Sequence, residues 1–241
     1  MGKGFRCKQF AVVQDNCAMK VNTDSMLLGS WAQPGNAKRV LDIGTGSGIL
    51  ALMMAQKASS AAQITAVDID GLAAAQAAQN FAASPWSTQL QALTGDITSL
   101  TFSGRFDVII TNPPYFESVS GDSRAYTTLT TERATARIDD SLSPATLFDV
   151  VSRQLTDDGI FYCVYPASRE TLITETAEKA GLYASQRLYV SAEVDKQPYL
   201  IAWRFKRQRN CLDSKQLAIR DGNGEYTSEF RRLCREFYLK F

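Results

Sequence analysis

Short β-branched runs alternate with longer helical patterns between residues 40 and 115, and this alternation constrains the fold of the 241-residue chain more than any other feature. Strands are predicted at residues 40–43 and 64–67, with a helix at 49–57 between them. Consecutive βαβ units of this kind are typical of a parallel sheet covered by helices. The predicted fold class is therefore α/β.

The same pattern continues along the rest of the chain. Further strands are predicted at 90–93, 106–110, 160–164, 182–190 and 199–205, and further helices at 72–83, 144–155 and 170–180. A last helix is predicted after Thr227 or Ser228, either of which can cap it. Its apolar residues recur at helical spacing: Phe230, Leu233, Cys234, Phe237 and Tyr238. These elements predict a mostly parallel seven-stranded sheet.

A glycine-rich turn joins the first strand to its helix. Gly44, Gly46 and Gly48 permit a tight turn and let a ligand approach the backbone closely. The dinucleotide fingerprint Gly-x-Gly-x-x-Gly is not met, since its third glycine would fall on Ile49, so NAD is disfavoured. Asp42, just before the first glycine, suits a ligand with an ammonium group and no phosphate.

Two more carboxylates follow the next two strands. Asp68 ends the second strand, 20 residues after Gly48, where a carboxylate can accept hydrogen bonds from both ribose hydroxyls. Asp96 follows the third strand, where it can bond an adenine amine. Carboxylates after three successive strands, with no lysine in the glycine turn, predict a site for a cationic nucleoside rather than a polyphosphate.

The motif Asn112-Pro113-Pro114-Tyr115 comes directly after the fourth strand, on the same edge of the sheet as the glycine turn. Its two prolines fix φ and remove two N–H groups, so the segment presents acceptors in a rigid loop. The Asn112 side-chain oxygen and the Pro113 carbonyl can accept from an exocyclic amine and aim its lone pair, while Tyr115 stacks on the ring. The alternative for so short a motif is a simple β-turn, and its position after a strand favours the catalytic interpretation.

The sequence contains no histidine. Histidine-based triads, histidine general bases and histidine metal ligands are therefore excluded. Methyl transfer to an amine needs no such base, because the ammonium product is acidic and loses its proton readily. The five cysteines are scattered and form no Cys-x-x-Cys pair, so we expect reduced thiols and no metal site.

The stretch from Asp42 to Gly48 closely resembles the S-adenosylmethionine loop of class I methyltransferases. The resemblance implies a Rossmann-like fold and S-adenosyl-L-methionine as the cofactor. The motif that starts at Asn112 matches the signature of amino-methyltransferases that act on adenine, guanine or glutamine amides, which makes Asn112, Pro113, Pro114 and Tyr115 the implied catalytic group. The implied cofactor-binding residues are Asp42, Gly44, Thr45, Gly46, Gly48, Asp68, Ile69, Asp96, Ile97 and Asn112.

The segments that flank the motifs favour one substrate. Little chain is left for DNA target recognition, and the first 39 residues are too few for the helical module of release-factor glutamine methyltransferases. Those residues, together with later motifs, resemble the bacterial valine-tRNA adenine-37 N6-methyltransferase family over essentially the whole chain. The matching segments are Lys8-Gln9-Phe10, Asp15-x-Cys17-Ala18-Met19-Lys20-Val21, Thr23-Asp24, Leu27-Leu28-Gly29-x-Trp31-Ala32, Ser84-Pro85-Trp86, Ile219-Arg220 and residues 226–238.

The resemblance implies methylation of the N6 amine of adenine 37, next to the anticodon of a valine tRNA, with the base extruded into the pocket. Three alternatives stay open from the residues alone. One is a protein glutamine N5-methyltransferase acting on release factors, another is an amino-methyltransferase with a different RNA substrate, and the third is a cofactor-binding RNA chaperone with little catalysis.

The two ends of the chain are basic and the middle is acidic. Residues 1–39 carry +4 and 204–241 carry +5, whereas 40–115 carry −3 and 116–203 carry −5. We expect a basic N-terminal extension at 1–39, a methyltransferase domain at 40–205 and a basic tail at 206–241 packed on it. Charge alone fits a solvated surface and an RNA-binding surface equally well. The candidate phosphate contacts are Arg204, Lys206, Arg207, Arg209, Arg231, Arg232 and Arg235.

The longest uninterrupted apolar run, residues 49–55, is far shorter than the ~20 residues that span a bilayer. No apolar stretch follows the charged N-terminus, so a secretory signal is not predicted. We therefore expect a cytoplasmic protein with tRNA, and no membrane, as its partner.

Overall fold

The computed structural model describes residues 4–114 and 142–240. Within these ranges the chain forms a short N-terminal hairpin and one large sheet with helices on both faces. The strands are β1 (Phe5–Arg6), β2 (Ala11–Val12), β3 (Arg39–Ile43), β4 (Gln63–Asp68), β5 (Leu90–Thr94), β6 (Phe106–Thr111), β7 (Leu155–Pro166), β8 (Tyr183–Glu193), β9 (Leu200–Lys206) and β10 (Asp213–Arg220). The helices are α1 (Thr23–Trp31), α2 (Ile49–Lys57), α3 (Gly71–Ala82), α4 (Pro144–Gln154), α5 (Glu170–Lys179) and α6 (Ser228–Cys234).

The large sheet has the strand order β10-β8-β9-β7-β6-β3-β4-β5. Strand β9 runs antiparallel to both of its neighbours, and every other pair in this sheet is parallel. The predicted α/β fold class is confirmed. We call the edge at which the parallel strands end the carboxyl edge, and the opposite one the amino edge.

The prediction of seven strands was one short. Strand β10 lies in the segment that the sequence analysis assigned to the tail, and it pairs in parallel with β8, from Asp213 opposite Gln186 to Arg220 opposite Glu193. Only Leu217 and Ile219 of this strand are buried. Because its first half is polar and exposed, β10 shows too little apolar alternation to be predicted as a strand.

The predicted boundaries of the other strands and of the helices agree with the observed ones to within a few residues, except at β7. This strand starts at Leu155, which pairs with Phe106, before an irregular stretch that ends where Ile160 pairs with Val108. Of the two predicted caps for the last helix, Thr227 is the cap, since its Oγ1 accepts from the backbone N–H of Phe230 at 3.2 Å.

The sheet separates two cores. Helices α1, α2, α3 and α6 and the hairpin pack on one face, and α4 and α5 pack on the other. The largest fully buried side chains of the second face are aromatic: Trp203, Phe106, Phe148, Phe161 and Phe205.

Lys57, at the end of α2, holds α1 in place. Its Nζ donates to the carbonyl oxygens of Gly29 and Ser30 at 3.1 and 2.9 Å, and also to that of Ala32. Carbonyl groups at the end of a helix have no partner within the helix, so the ammonium group supplies what α1 lacks there. Burial lowers the pKa of Lys57 to about 8.

The two ends of the chain meet on the first face. The backbone N–H of Lys8 donates to the Phe237 carbonyl oxygen at 3.0 Å, next to the end of α6. No helix within the described ranges is both long enough and apolar enough to span a membrane.

Candidate functional site

The glycine turn lies at the carboxyl edge, between β3 and α2. Gly44, Gly46 and Gly48 have φ values of 69°, 54° and 84°, a region that L side chains rarely adopt. A Cβ on Gly44 or Gly46 would meet open space, whereas one on Gly48 would lie 2.4 Å from Cε1 of Phe81. The first two glycines therefore leave room for a ligand, and the third allows the turn to pack closely against α3.

Asp42 lies beneath this turn and is fully buried. Its Oδ2 accepts from the Thr45 hydroxyl at 2.6 Å and from the Ala51 N–H at 3.2 Å, so it positions both the turn and the start of α2. Burial raises the pKa of Asp42 to about 7. Its Oδ1 is buried and has no hydrogen-bond partner within the described ranges. The predicted contact with an ammonium group stays a prediction, and Oδ1 is the atom it would use.

Asp68 connects the end of β4 to the glycine turn. Its Oδ2 accepts from the Gly46 N–H at 2.7 Å, and its Oδ1 accepts from the Asp70 N–H at 3.0 Å. Burial raises the pKa of Asp68. The next residue, Ile69, is an exposed apolar side chain beside this carboxylate. Each carboxylate oxygen keeps a second lone pair, so the predicted contact with two ribose hydroxyls remains chemically possible.

Asp96 follows β5, as predicted, and is half-buried. Its Oδ1 accepts from both the N–H and the hydroxyl of Thr98, at 2.9 and 2.7 Å. The side chain of Ile97 packs in the second core, so only its backbone remains for a ligand. The predicted role of Asp96 in binding an adenine amine therefore rests on its other oxygen.

Asn112 follows β6 at the same edge. Its Oδ1 is buried and has no hydrogen-bond partner among the residues that the structure describes. A buried amide oxygen without a partner is costly, so this atom fits an acceptor that awaits an external donor. Pro113 is buried and Pro114 half-buried, which holds Asn112 in a rigid segment. Tyr115 lies outside the described residues.

The glycine turn, the start of α2, Asn112 and the N-terminal segment border one small cleft of about 60 Å³. The cleft brings the glycine turn together with Asn112, as the sequence predicted, whereas Asp42, Asp68 and Asp96 do not line it. Among the described residues that line it, Lys20 is the only charged one. The lining consists of Met19, Lys20, Val21, Asn22, Ser25, Gly44, Thr45, Gly46, Ser47, Ile49, Leu50 and Asn112.

Sequence reasoning missed eight of these residues. Ser47, Ile49 and Leu50 adjoin the predicted glycines, and the other five come from the N-terminal segment: Met19, Lys20, Val21, Asn22 and Ser25. The only local signal there is a capping box, in which Asn22 Oδ1 accepts from the Ser25 N–H at 2.9 Å and starts α1. A cap predicts where a helix begins. It gives no information on which distant turn that helix will face.

Four of the seven basic candidates lie on β9 or just after it. Because β9 is antiparallel to its neighbours, it ends at the amino edge, where Lys206 pairs with Tyr183 at the start of β8. Arg207 donates to the Ser152 and Leu155 carbonyl oxygens and lies 3.8 Å from Asp157. These contacts place it, with Lys206, at the edge opposite Asn112.

The two other residues of this group have aromatic neighbours. Arg209 lies over the Tyr183 ring at 4.4 Å, also at the amino edge. Arg204 is half-buried and interacts with the Tyr162 hydroxyl. Neither side chain lies at the cleft.

The three remaining candidates belong to α6 and its end. Arg231 donates to the Tyr226 carbonyl oxygen at 2.9 Å and pairs with Glu225 at 3.3 Å. Arg232 and Arg235 are exposed and form no ion pair with the described residues. The structure therefore places Lys206, Arg207 and Arg209 at the amino edge and Arg231, Arg232 and Arg235 on or directly after α6.

Comparison with known proteins gives a consistent result. The family model of the methyltransferase small domain matches residues 16–141. A tRNA1(Val) (adenine(37)-N6)-methyltransferase of Serratia proteamaculans is 40% identical over 240 residues, which cover 98% of this chain and 90% of that protein. The protein of the same name from Actinobacillus succinogenes is 40% identical over 100% of this chain and 99% of its own length.

The fold has solved counterparts. A predicted O-methyltransferase from Agrobacterium tumefaciens superposes with a TM-score of 0.63 over 89% of this chain and 96% of its own, at 18% sequence identity. The Rossmann-like methyltransferase fold implied by the resemblance is thereby confirmed.

Proposed function

The chain belongs to the family of tRNA1(Val) (adenine(37)-N6)-methyltransferases, and we propose that it transfers a methyl group from S-adenosyl-L-methionine to the N6 amine of adenine 37 in a valine tRNA. The observation that carries the proposal is the Oδ1 of Asn112, which is buried, has no hydrogen-bond partner within the described ranges and lies in the same cleft as the glycine turn. An acceptor beside the glycine turn is what an incoming exocyclic amine requires.

The residues around the cleft fit S-adenosylmethionine. Gly44 and Gly46 leave open space at the turn, and the Oδ1 of Asp42, which has no partner among the described residues, is an acceptor for an ammonium group. Asp68 and Asp96 supply carboxylates at the next two strand ends for the ribose and the adenine. The cofactor supplies an electrophilic methyl group on a sulfonium.

Asn112 and Pro113 act on the amine of the target base. The lone pair of an aryl amine is delocalised into its ring, which makes the nitrogen a poor nucleophile. Hydrogen bonds from its two N–H groups to the Asn112 side-chain oxygen and the Pro113 carbonyl favour a tetrahedral nitrogen with its lone pair aimed at the methyl group. Pro114 stiffens the segment. Stacking of the extruded base on Tyr115 remains part of the proposal from the family signature.

No general base is needed in this scheme. The methylated nitrogen is acidic and releases its proton to water, which agrees with a sequence that contains no histidine. The chain's own contribution is therefore orientation and exclusion of water rather than proton abstraction.

The tRNA backbone is proposed to bind to the basic end of the chain. Arg232 and Arg235 offer exposed guanidinium groups without ion pairs among the described residues, and Arg231 lies beside them. The group on and after β9 fits less well, because Lys206, Arg207 and Arg209 lie at the edge opposite Asn112. A tRNA-modifying enzyme works where its tRNA is made and used, so we place the protein in the cytoplasm.

One experiment tests the reaction and its acceptor together. The purified protein is incubated with labelled S-adenosylmethionine and total RNA from a bacterial strain that lacks the enzyme, and the nucleosides of each purified tRNA are analysed. Labelled N6-methyladenosine confined to valine tRNA at position 37 is expected. A parallel incubation with release factor distinguishes the alternative, since label on protein and none on RNA would replace the proposal by glutamine methylation.

A further inference from the structure

The segment before α1 crosses the cofactor cleft as a strap with both ends fixed. We define the N-terminal strap as residues 14–21, between the hairpin and the capping residue Asn22. At its far end, the Val21 N–H donates to the Gln14 side-chain oxygen at 2.8 Å. This bond closes the strap on itself, because Gln14 and Val21 are its first and last residues.

The end of the strap next to the hairpin is held by the side chain of Asn80, a residue of α3. Asn80 Oδ1 accepts from the Val13 N–H at 2.9 Å, and its Nδ2 donates to the Val13 carbonyl oxygen at 2.8 Å. The same Nδ2 donates to the Ser47 carbonyl oxygen, also at 2.8 Å. Asn80 thus bonds at once to the residue before the strap and to the glycine turn. It is 3% exposed, so water does not compete for these bonds.

The strap covers two parts of the site. Met19, Lys20 and Val21 line the cleft together with the glycine turn and Asn112. Burial, together with the nearby carboxylates of Asp68 and Asp70, raises the pKa of Cys17 to about 11. The strap therefore extends from the neighbourhood of the predicted ribose carboxylate to the cleft.

We propose that Asn80 is a positioning residue for cofactor binding, which fixes the N-terminal strap against the glycine turn and so completes the cleft. The inference rests on the proposed function in one respect only, namely that the ligand of the cleft is S-adenosylmethionine. Asn80 itself lines no part of the cleft.

The physical reason is the cost of ordering a loop. A strap without its anchor samples open arrangements, and only the closed fraction binds cofactor with full affinity. The ligand must then supply the free energy that orders the strap. In the wild-type protein the three hydrogen bonds of Asn80 order the strap before the ligand binds, so the ligand does not have to supply this free energy.

The test measures binding of S-adenosylhomocysteine by calorimetry to the full-length protein and to Asn80→Ala. Loss of the anchor is expected to weaken binding by about tenfold. At saturating cofactor, the kcat and the KM for tRNA are expected to stay close to those of the wild type. A variant that only destabilises the fold would not weaken binding of S-adenosylhomocysteine while it leaves the kcat and the KM for tRNA unchanged.

Gln89 provides a matched control. It too is a buried side-chain amide that ties a loop, since its Nε2 donates to the Ser59 and Ala62 carbonyl oxygens at 2.8 and 3.1 Å. Those residues lie far from the cleft lining, at the turn before β4. Gln89→Ala is expected to lower thermal stability as Asn80→Ala does and to leave binding of S-adenosylhomocysteine unchanged.

A second variant acts on the strap without touching the core. Gln14→Ala removes only the bond to the Val21 N–H, and it is expected to weaken binding of S-adenosylhomocysteine in the same direction as Asn80→Ala. Limited trypsin digestion reports on the strap directly, because Lys20 is an exposed cleavage site within it. Cleavage after Lys20 is expected to be faster in both variants than in Gln89→Ala.

The outcomes are distinguishable. If the wild-type protein does not bind S-adenosylhomocysteine, the proposed function fails. If the wild type binds it, and both Asn80→Ala and Gln14→Ala bind it equally well with unchanged cleavage after Lys20, the positioning role of Asn80 is overturned while the proposed function stands.

Discussion

The Thr111 hydroxyl donates a 2.8 Å hydrogen bond to the Ile43 carbonyl oxygen. Thr111 is the last residue of β6 and directly precedes Asn112, while Ile43 is the last residue of β3 and directly precedes Gly44. Thr111 is fully buried. Since β3 and β6 already pair here, with Ile43 opposite Thr111, this bond adds a side-chain link between the strand end that presents the amine acceptor and the strand end that begins the cofactor turn.

Thr111→Val keeps the shape of the side chain and removes the bond. Leaving a buried carbonyl group without this donor is expected to cost about 1–3 kcal/mol of unfolding free energy, measured by urea denaturation. The kcat is expected to fall as well, because the backbone that carries Asn112 is held less firmly beside the glycine turn. Thr111→Ser restores the donor and should recover most of the kcat; a threonine-to-serine change as damaging as the valine would contradict the role of the bond.

Asn112→Ala removes the acceptor for the target amine. The expected result is a loss of about a hundredfold in kcat, because orientation of the lone pair is lost in the transition state. Binding of S-adenosylhomocysteine, measured by calorimetry, should be nearly intact. Near-normal turnover by this variant would show that the motif does not orient the amine.

Among the residues that the structure describes, Lys20 is the one charged residue that lines the cleft, and S-adenosylhomocysteine carries a carboxylate. Since Lys20 is exposed, Lys20→Met is expected to weaken binding of S-adenosylhomocysteine only about three- to tenfold, more at low salt than at high salt. Methylthioadenosine lacks the amino acid part and serves as the control ligand. Equal losses for the two ligands would show that Lys20 does not pair with the carboxylate.

Asp42 predicts a pH dependence of stability. Its pKa is about 7 in the folded protein and near the usual 3.8 when unfolded, so the folded state binds the proton more tightly. Stability is then expected to fall as the pH rises from about 4 to about 7, by at most 1.4 kcal/mol per pH unit, and to change little above that. Asp42→Asn should flatten this slope. Part of the slope is expected to remain, because burial also raises the pKa of Asp68.

The two groups of basic residues make opposite predictions for tRNA. The double variant Arg232→Gln/Arg235→Gln is expected to raise the KM for tRNA and to reduce the salt dependence of binding by about one unit of slope for each lost phosphate contact. Arg209→Gln is the matched control, because its guanidinium lies over Tyr183 at the amino edge. An increase in the KM for tRNA that is confined to Arg209→Gln would show instead that the RNA binds at the amino edge.

Much of the fold follows from local pattern. Strands β3, β4 and β6 were predicted because both faces of a central parallel strand are buried, which leaves apolar runs such as those of β3 and β6. The edge strand β5 was predicted as well, since three of its five residues are apolar. Strand β10 lies at the opposite edge and escaped prediction because its first four residues are polar and exposed.

Some residues of the candidate site were likewise predicted from the sequence, and others were not. The glycine turn and Asn112 were predicted from short motifs, because each follows a strand and parallel strands end at one edge. The strap was not predicted, since its placement depends on Asn80, which is 67 residues away from Val13 in the sequence. The net charge of a segment also did not predict that Arg207 and Arg232 lie on different surfaces, because it contains no information on where a side chain lies in the fold.

The amino-acid sequence by itself determined the α/β class, the glycine turn with its carboxylates, the acceptor motif at Asn112 and the resemblance that identifies the chemistry. Each of these depends on residues that are close together in the chain or on the period of a single element. Only the tertiary structure decided that α1 and the strap form a wall of the cleft, that Thr111 joins the two halves of the site, and that β9 carries its arginines to the far edge. Those facts depend on strand direction and on hydrogen bonds between distant residues, and local sequence encodes neither.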